Sequence, residues 1–215
     1  MQKDLLVFDL DGTLIDSSGD IANAANRTLL SLGHASMEKE AIRDKIGWGV
    51  NMLLRGLMPG EEAAVLATAR ERFLAYYGEA LLVETRLYPG VLQTLLSLKK
   101  NGKKLAVLTN KPEVLSRRII KDLELEAFFV NIAGGDTFDV KKPHPAPLES
   151  LMREAGVTAA NTVLVGDSPI DCETGAAAGV FTIGVSYGFR PLIELDNAGC
   201  DMIIRDFTTL GEVFL

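Results

Sequence analysis

Short apolar runs that stop abruptly at acids or glycines, alternating with helix-period stretches, constrain this chain more than any other feature. Leu5-Leu6-Val7-Phe8 stops at Asp9. Leu105 to Leu108 stops at Thr109-Asn110-Lys111, Val130 to Ala133 at Gly134-Gly135-Asp136, and Thr162 to Val165 at Gly166-Asp167. Phe181 to Val185 is a fifth run and Met202 to Ile204 a short sixth. Brief runs without a polar face are strands buried on both sides. Between them apolar residues recur at helical spacing. Val91, Leu95 and Leu98 are closed by Gly102, and Leu148, Leu151, Met152 and Ala155 by Gly156. A glycine just past such a stripe suits the left-handed residue that ends a helix. The pattern predicts an α/β fold, a Rossmann-like parallel sheet with helices on both faces.

One region departs from the alternation. Residues 15–82 hold no convincing strand. Ile21, Ala25, Leu29 and Leu32 make one helical stripe there, and Val65, Ala69, Phe73 and Tyr76 another. A crossover between parallel strands needs only about a dozen residues. The excess reads as an inserted all-helical subdomain over 15–82, with 1–14 and 83–215 forming the α/β core. The two crossings, near Ile15–Ser18 and Leu82–Arg86, read as hinges.

A chain of 215 residues suits one core plus a modest insertion. Its 22 Lys and Arg against 29 Asp and Glu leave a formal charge of −7. An acidic surface repels phosphate backbones, which argues against nucleic acid as a partner. A phosphate ligand would then need a local cation. The two cysteines, Cys172 and Cys200, form no C-x-x-C. They argue against a disulfide scaffold or a cysteine zinc site and read as inert buried thiols. The first apolar run is too short for a signal-peptide core, and no run reaches the ~18 apolar residues of a membrane span. The expectation is a cytoplasmic protein with no membrane partner.

In open parallel sheets, ligands sit beyond the carboxyl ends of the strands. Those ends here read Asp9-Leu10-Asp11-Gly12-Thr13, Thr109-Asn110-Lys111 and Gly166-Asp167-Ser168-Pro169-Ile170-Asp171, with Lys142-Pro143 just after the third strand. Clustered carboxylates repel unless a cation or a shared proton relieves them. Hard oxygen ligands beside phosphate select Mg²⁺. A carboxylate is also a competent nucleophile at phosphorus, and a second acid two residues on can protonate the leaving oxygen and then activate water. Thr109, Asn110 and Lys142 can donate to phosphoryl oxygens where charge accumulates.

Asp9-x-Asp11-Gly12-Thr13-Leu14, Thr109-Asn110, Lys142-Pro143 and Gly166-Asp167-x-x-x-Asp171 resemble, in order, the four motifs of the haloacid dehalogenase-like phosphatases. The resemblance spans the whole chain. It implies a core strand order 5-4-1-2-3 and makes the helical insertion a cap. It implies Asp9 as nucleophile and Asp11 as general acid/base. It gives Mg²⁺ to Asp9, Asp167 and the Asp11 backbone carbonyl, with Asp171 in support, and gives the phosphate to Thr109, Asn110 and Lys142. A narrower resemblance, to the phosphoglycolate phosphatases, rests on Gly134-Gly135-Asp136, Lys141 to Leu148, Tyr187-Gly188-Phe189 and the Gly47-Trp48-Gly49-Val50 stretch. It implies that Gly47, Trp48 and Gly49 face a small phosphorylated metabolite, with Arg43, Lys45 or Arg55 available for its carboxylate. Arg190-Pro191 departs from that pattern, where a small or polar residue is expected. The chain is expected to act as a monomer or homodimer.

Rival readings share parts of this equipment. A haloacid dehalogenase attacks carbon, needs no metal and has no use for Asp11. A phosphonate hydrolase needs a Schiff-base lysine in the cap. A pyrophosphatase or sugar phosphomutase differs only in substrate. A phospho-accepting signalling domain carries its acids on other strands and lacks so large an insertion.

Overall fold

The computed structural model describes residues 3–215. β1 (Leu5–Phe8) has all four side chains fully buried, as a run with no polar face requires. The chain then forms a two-residue β2 (Ile15–Asp16) and four helices: α1 (Ser18–Ser31), α2 (Lys39–Arg43), α3 (Val50–Leu57) and α4 (Ala63–Glu79). β3 (Arg86–Leu87) returns to pair antiparallel with β2, Ile15 opposite Leu87. Strict alternation follows, through α5 (Val91–Lys100), β4 (Lys104–Leu108), α6 (Glu113–Asp122), β5 (Asn131–Ala133), α7 (Ala146–Ala155), β6 (Thr162–Gly166), α8 (Pro169–Ala177), β7 (Phe181–Val185), α9 (Leu192–Asn197), β8 (Met202–Ile204) and α10 (Thr209–Phe214).

Six strands form one parallel sheet in the order β5-β4-β1-β6-β7-β8. Phe8 lies level with Val107 on one side and Val165 on the other. The residues that follow each strand therefore emerge side by side at one edge. Leu5, Val7, Ala106 and Leu164 pack on one face with Leu148 and Leu151 of α7. Leu6, Phe8, Val107 and Val165 pack on the other, in a cluster that continues into the helical insertion through Leu53, Phe73 and Tyr77. Each such side chain withdrawn from water contributes about 1.5–3 kcal/mol. Gly102 and Gly156 both take positive φ, +79° and +66°, at the ends of α5 and α7, as their place after the apolar stripes predicts.

The crossings between core and insertion are stitched rather than loose. Beside the β2–β3 pair, the buried Asp20 carboxylate accepts the backbone N–H groups of Glu84 and Thr85 and the Thr85 hydroxyl. These bonds satisfy backbone donors that burial would otherwise orphan.

Two expectations are corrected by the packing. The α4 stripe buries Ala69, Phe73 and Tyr77, at successive i+4 steps, while Tyr76 is only half-buried and lies under the Arg27 guanidinium. Cys172 of α8 and Cys200 ahead of β8 are joined in a disulfide and are not free thiols. Their Cα atoms are 5.1 Å apart, inside the range a disulfide spans. The 28 residues between them hide a proximity that arises because α8 packs against β7 and α9.

Candidate active site

Asp9 is placed by the sheet: it follows β1 directly, and its N–H donates to the Val165 carbonyl at 2.9 Å. The chain then folds back on itself, the N–H groups of Leu14 and Ile15 both reaching the Leu10 carbonyl. Gly12 makes this turn possible. It sits at φ +86°, and a Cβ there would lie 2.2 Å from an Asp167 oxygen. Asp167 follows β6 and accepts the Phe189 N–H at 2.7 Å. Asp171 is the third residue of α8 and does two jobs. Its Oδ2 accepts the Ser168 N–H and hydroxyl in a capping box, and its Oδ1 accepts Lys142 Nζ at 2.6 Å.

Asp9, Asp167 and Asp171 are all buried, and each offers an oxygen within 4.8 Å of the others. Burial first, then the neighbouring acids, push Asp9 up to about 6 and Asp167 well above the usual carboxylate range. Burial works against the charge on Lys142, yet Asp171 and Asp9 prevail and its pKa is raised, so it stays an ammonium. It lies 3.0 Å from Asp9 Oδ1 without the alignment of a hydrogen bond, and that oxygen has no hydrogen-bond partner among the described residues. One ammonium cannot balance three carboxylates. The all-oxygen donor set, the raised pKa values and the unpartnered oxygen fit a hard divalent cation.

The Asp11 side chain points away from this cluster. It accepts the Ser17 hydroxyl at 2.6 Å and Lys111 Nζ at 2.8 and 3.0 Å. Lys111 is buried, and its third contact is the Tyr77 hydroxyl of α4 at 2.6 Å. Burial opposes its charge, but Asp11 and Tyr77 outweigh burial and raise its pKa. In the sequence Lys111 stands at a strand end with no role of its own, and the helical stripe ends on Tyr76 rather than Tyr77. The available signal for Lys111 was its position two residues past Thr109 at the end of β4.

Thr109 is buried, and its hydroxyl accepts the Lys111 N–H at 3.2 Å. The Asn110 side-chain amide donates to the carbonyls of Gly47 and Lys142, both at 3.0 Å, and its Oδ1 has no partner among the described residues. Asn110 thus ties the insertion and the Lys142 backbone to β4.

Part of this set opens on a small cavity, from whose wall Lys142, Asp167 and Asp171 are absent. The core contributes Asp9, Asp11, Thr109, Asn110 and Lys111 to its wall; the insertion contributes Ile21, Ile46, Val50, Leu53, Phe73, Tyr77 and the backbone at Gly47 and Gly49. Trp48, expected to face a substrate, does not line it, and its side chain is exposed. The reason is the loop's twist. Gly47 and Gly49 both take positive φ, +117° and +84°, which brings their backbone to the cavity while Trp48 stays outside it. Lys141 holds the Trp48 carbonyl at 2.6 Å, and the Arg190 guanidinium holds those of Asp44 and Ile46. The unexpected arginine is therefore a clamp on the loop. Arg43, Lys45 and Arg55, the expected carboxylate partners, are also absent from the cavity wall. Arg43 instead lines a separate cleft with Arg190.

Chemically, the site combines a buried carboxylate and a second acid on one small cavity with a place for a cation and a fixed ammonium beside the first carboxylate. Three comparisons agree with this arrangement. The family model described as haloacid dehalogenase-like hydrolase matches residues 6–185. Phosphoglycolate phosphatases of Colwellia psychrerythraea and Vibrio cholerae are 38% and 34% identical, over 97% and 98% of this chain and 96% of each relative. The crystal structure of a predicted phosphoglycolate phosphatase from Haemophilus somnus is similar with a TM-score of 0.93 at 31% identity, covering 99% of this chain and 98% of that one.

Proposed function

This chain belongs to the haloacid dehalogenase-like hydrolases and is a phosphatase acting on a phosphate ester, and we propose that its substrate is 2-phosphoglycolate, hydrolysed through a phosphoryl group carried on Asp9. The observation that carries the reading is the buried Asp9 carboxylate, its Oδ1 paired with Lys142 Nζ at 3.0 Å, sharing one cavity with Asp11.

The Asp9 oxygen attacks phosphorus, and the bond from phosphorus to the ester oxygen breaks. Asp11 delivers a proton to that departing oxygen, so glycolate leaves as an alcohol. A water then gives its proton to Asp11 and attacks the phosphoryl group, releasing phosphate and restoring Asp9. Lys142 and Thr109 stand where charge accumulates on the phosphoryl oxygens. Asp9, Asp167 and Asp171 would hold Mg²⁺, with the Asp11 backbone carbonyl beside them, and the ion would neutralise phosphoryl charge that the acids alone would repel. The insertion acts as a cap over 15–82 on the core of 1–14 and 83–215. Its apolar wall excludes water and raises the strength of every charge interaction inside.

The names of the relatives, phosphoglycolate phosphatases, point to 2-phosphoglycolate as the ester. The test is a phosphate-release screen over 2-phosphoglycolate, hexose phosphates, ethyl phosphate and pyrophosphate, with Mg²⁺ and with chelator. The reading expects 2-phosphoglycolate to lead and chelator to silence all of them. Equal efficiency on a hexose phosphate would overturn the substrate, and full activity in chelator would overturn the metal.

A further inference from the structure

The cap leaves a gap in the account of specificity. A substrate with a carboxylate needs a cation beside its leaving oxygen, and the insertion residues lining the cavity are all uncharged. Their one polar side-chain group is the Tyr77 hydroxyl. Among the described residues of the cavity wall, Lys111 is the only cation. We propose that Lys111, seated by Tyr77, is the specificity-determining residue that receives the substrate's carboxylate. The inference rests on the proposed function and assigns its substrate class to one side chain: phosphate esters of 2-hydroxy acids.

Position carries the argument. If Asp11 serves the leaving oxygen, that oxygen lies within hydrogen-bond reach of its carboxylate, about 2.6–3.2 Å. Lys111 Nζ is 2.8 Å from the same carboxylate. In a 2-hydroxy acid ester the carboxyl carbon is only two bonds from the leaving oxygen. An ester docked against Asp11 therefore brings its carboxylate to the neighbouring ammonium. Lys111 Nζ reaches three acceptors, both Asp11 oxygens and the Tyr77 hydroxyl, and a substrate carboxylate would take over the donor now given to one of the two Asp11 oxygens. The Tyr77 oxygen accepts from Lys111, and its own O–H proton has no acceptor among the described residues, so it is a free donor at the same place. Burial suits this role as well. Lys111 is 6% exposed, and a charge pair sheltered from water discriminates far more sharply than an exposed one. Hexose phosphates or simple alkyl phosphates would place hydroxyl or carbon against the ammonium and leave it without a counter-charge from the substrate.

Because Lys111 also touches Asp11, its loss slows every substrate, and the informative readout is a ratio. The measurement is kcat/KM for 2-phosphoglycolate divided by that for ethyl phosphate, in the wild type, Lys111→Met, Lys111→Arg and Tyr77→Phe. Lys111→Met should lower the ratio about 10²-fold, and Lys111→Arg should restore part of it. Tyr77→Phe keeps the ring and the packing and should lower the ratio about tenfold. If Lys111→Met fails to fold, Tyr77→Phe and Lys111→Arg decide. A ratio within twofold of wild type in every folded variant, with both esters slowed alike, would mean that Lys111 only positions Asp11 and would overturn the inference. A wild type with no preference for 2-phosphoglycolate over ethyl phosphate would instead overturn the substrate reading, and the inference with it.

Discussion

The strand ends of the core and the helical insertion meet across one cavity, yet they contribute in opposite ways. The core presents side chains: Asp9, Asp11, Lys111, Asp167 and Asp171 are set by strand register and by a helix cap. The insertion presents backbone and apolar surface, and it is held in place through its carbonyls. Asn110, Lys141 and Arg190, all core residues, grip the carbonyls of Asp44, Ile46, Gly47 and Trp48. Charge therefore resides on rigid elements, where small displacements are resisted. In the proposed mechanism the insertion sets the volume and excludes water. Substitutions should divide accordingly, with changes at Asp9 and Asp11 striking the rate, and changes at Lys111 and in the cavity-facing insertion striking the choice of ester.

The largest effect belongs to the core. Asp9→Asn should reduce phosphate release by at least about 10³-fold, because the amide removes the nucleophile and one carboxylate of the cation site together. Activity within tenfold of wild type would break the comparison at its strongest point. Next, Asp11→Asn should slow turnover by about 10²–10⁴-fold through loss of proton transfer, checked by steady-state kinetics on 2-phosphoglycolate.

Within the insertion the account separates two neighbours. A Cβ at Gly49 would lie 3.0 Å from both the Asn110 carbonyl and Lys141 Nζ, at a φ of +84° that side chains avoid. Gly49→Ala should raise KM for the small ester about tenfold with kcat nearly unchanged, as expected when binding alone is weakened. Trp48→Ala, whose side chain is exposed and outside the cavity, should leave the ranking of esters as it is. The reverse outcome, a silent Gly49→Ala and a reordering Trp48→Ala, would mean that the loop turns its indole inward when substrate binds.

The smallest effect is on stability. Asp9 has a folded pKa of about 6 against an ordinary 3.8. Between those values the folded chain keeps a proton that the unfolded chain has lost. Metal-free protein should therefore lose stability as pH rises through this window and regain it as pH falls. Asp9→Asn in chelator should raise stability at neutral pH by on the order of 1–3 kcal/mol, read as a higher Tm, and the gain should vanish near the lower end of the window. A variant less stable than wild type throughout would contradict the raised pKa.

The same contrast explains what the sequence revealed. Parallel strands buried on both faces must be apolar throughout, so Leu5 to Phe8 and Thr162 to Val165 are legible as written, and the acids that end them mark the site. The α4 face is ambiguous in sequence at its last step because Tyr76 and Tyr77 are adjacent aromatics, and only packing decides which one turns inward. The 47–49 loop of the insertion reaches the cavity through backbone atoms, which leave no residue signature beyond Gly47 and Gly49. Trp48 drew attention as the conspicuous side chain between them, although the loop carries its indole outward. Lys111 is visible at its strand end, but its role is not, because its partners Asp11 and Tyr77 are distant in sequence. The Cys172–Cys200 bond was hidden for the same reason.

The central claim is that Asp9 carries the phosphoryl group and Asp11 moves the protons. Mass spectrometry of Asp11→Asn, quenched in acid after mixing with p-nitrophenyl phosphate, tests it most directly. That ester leaves without proton assistance, so the first step can proceed while the second stalls. The account predicts a phosphoryl group on the peptide that contains Asp9, mapped to Asp9 itself. A phosphoryl group mapped to any other residue would contradict it.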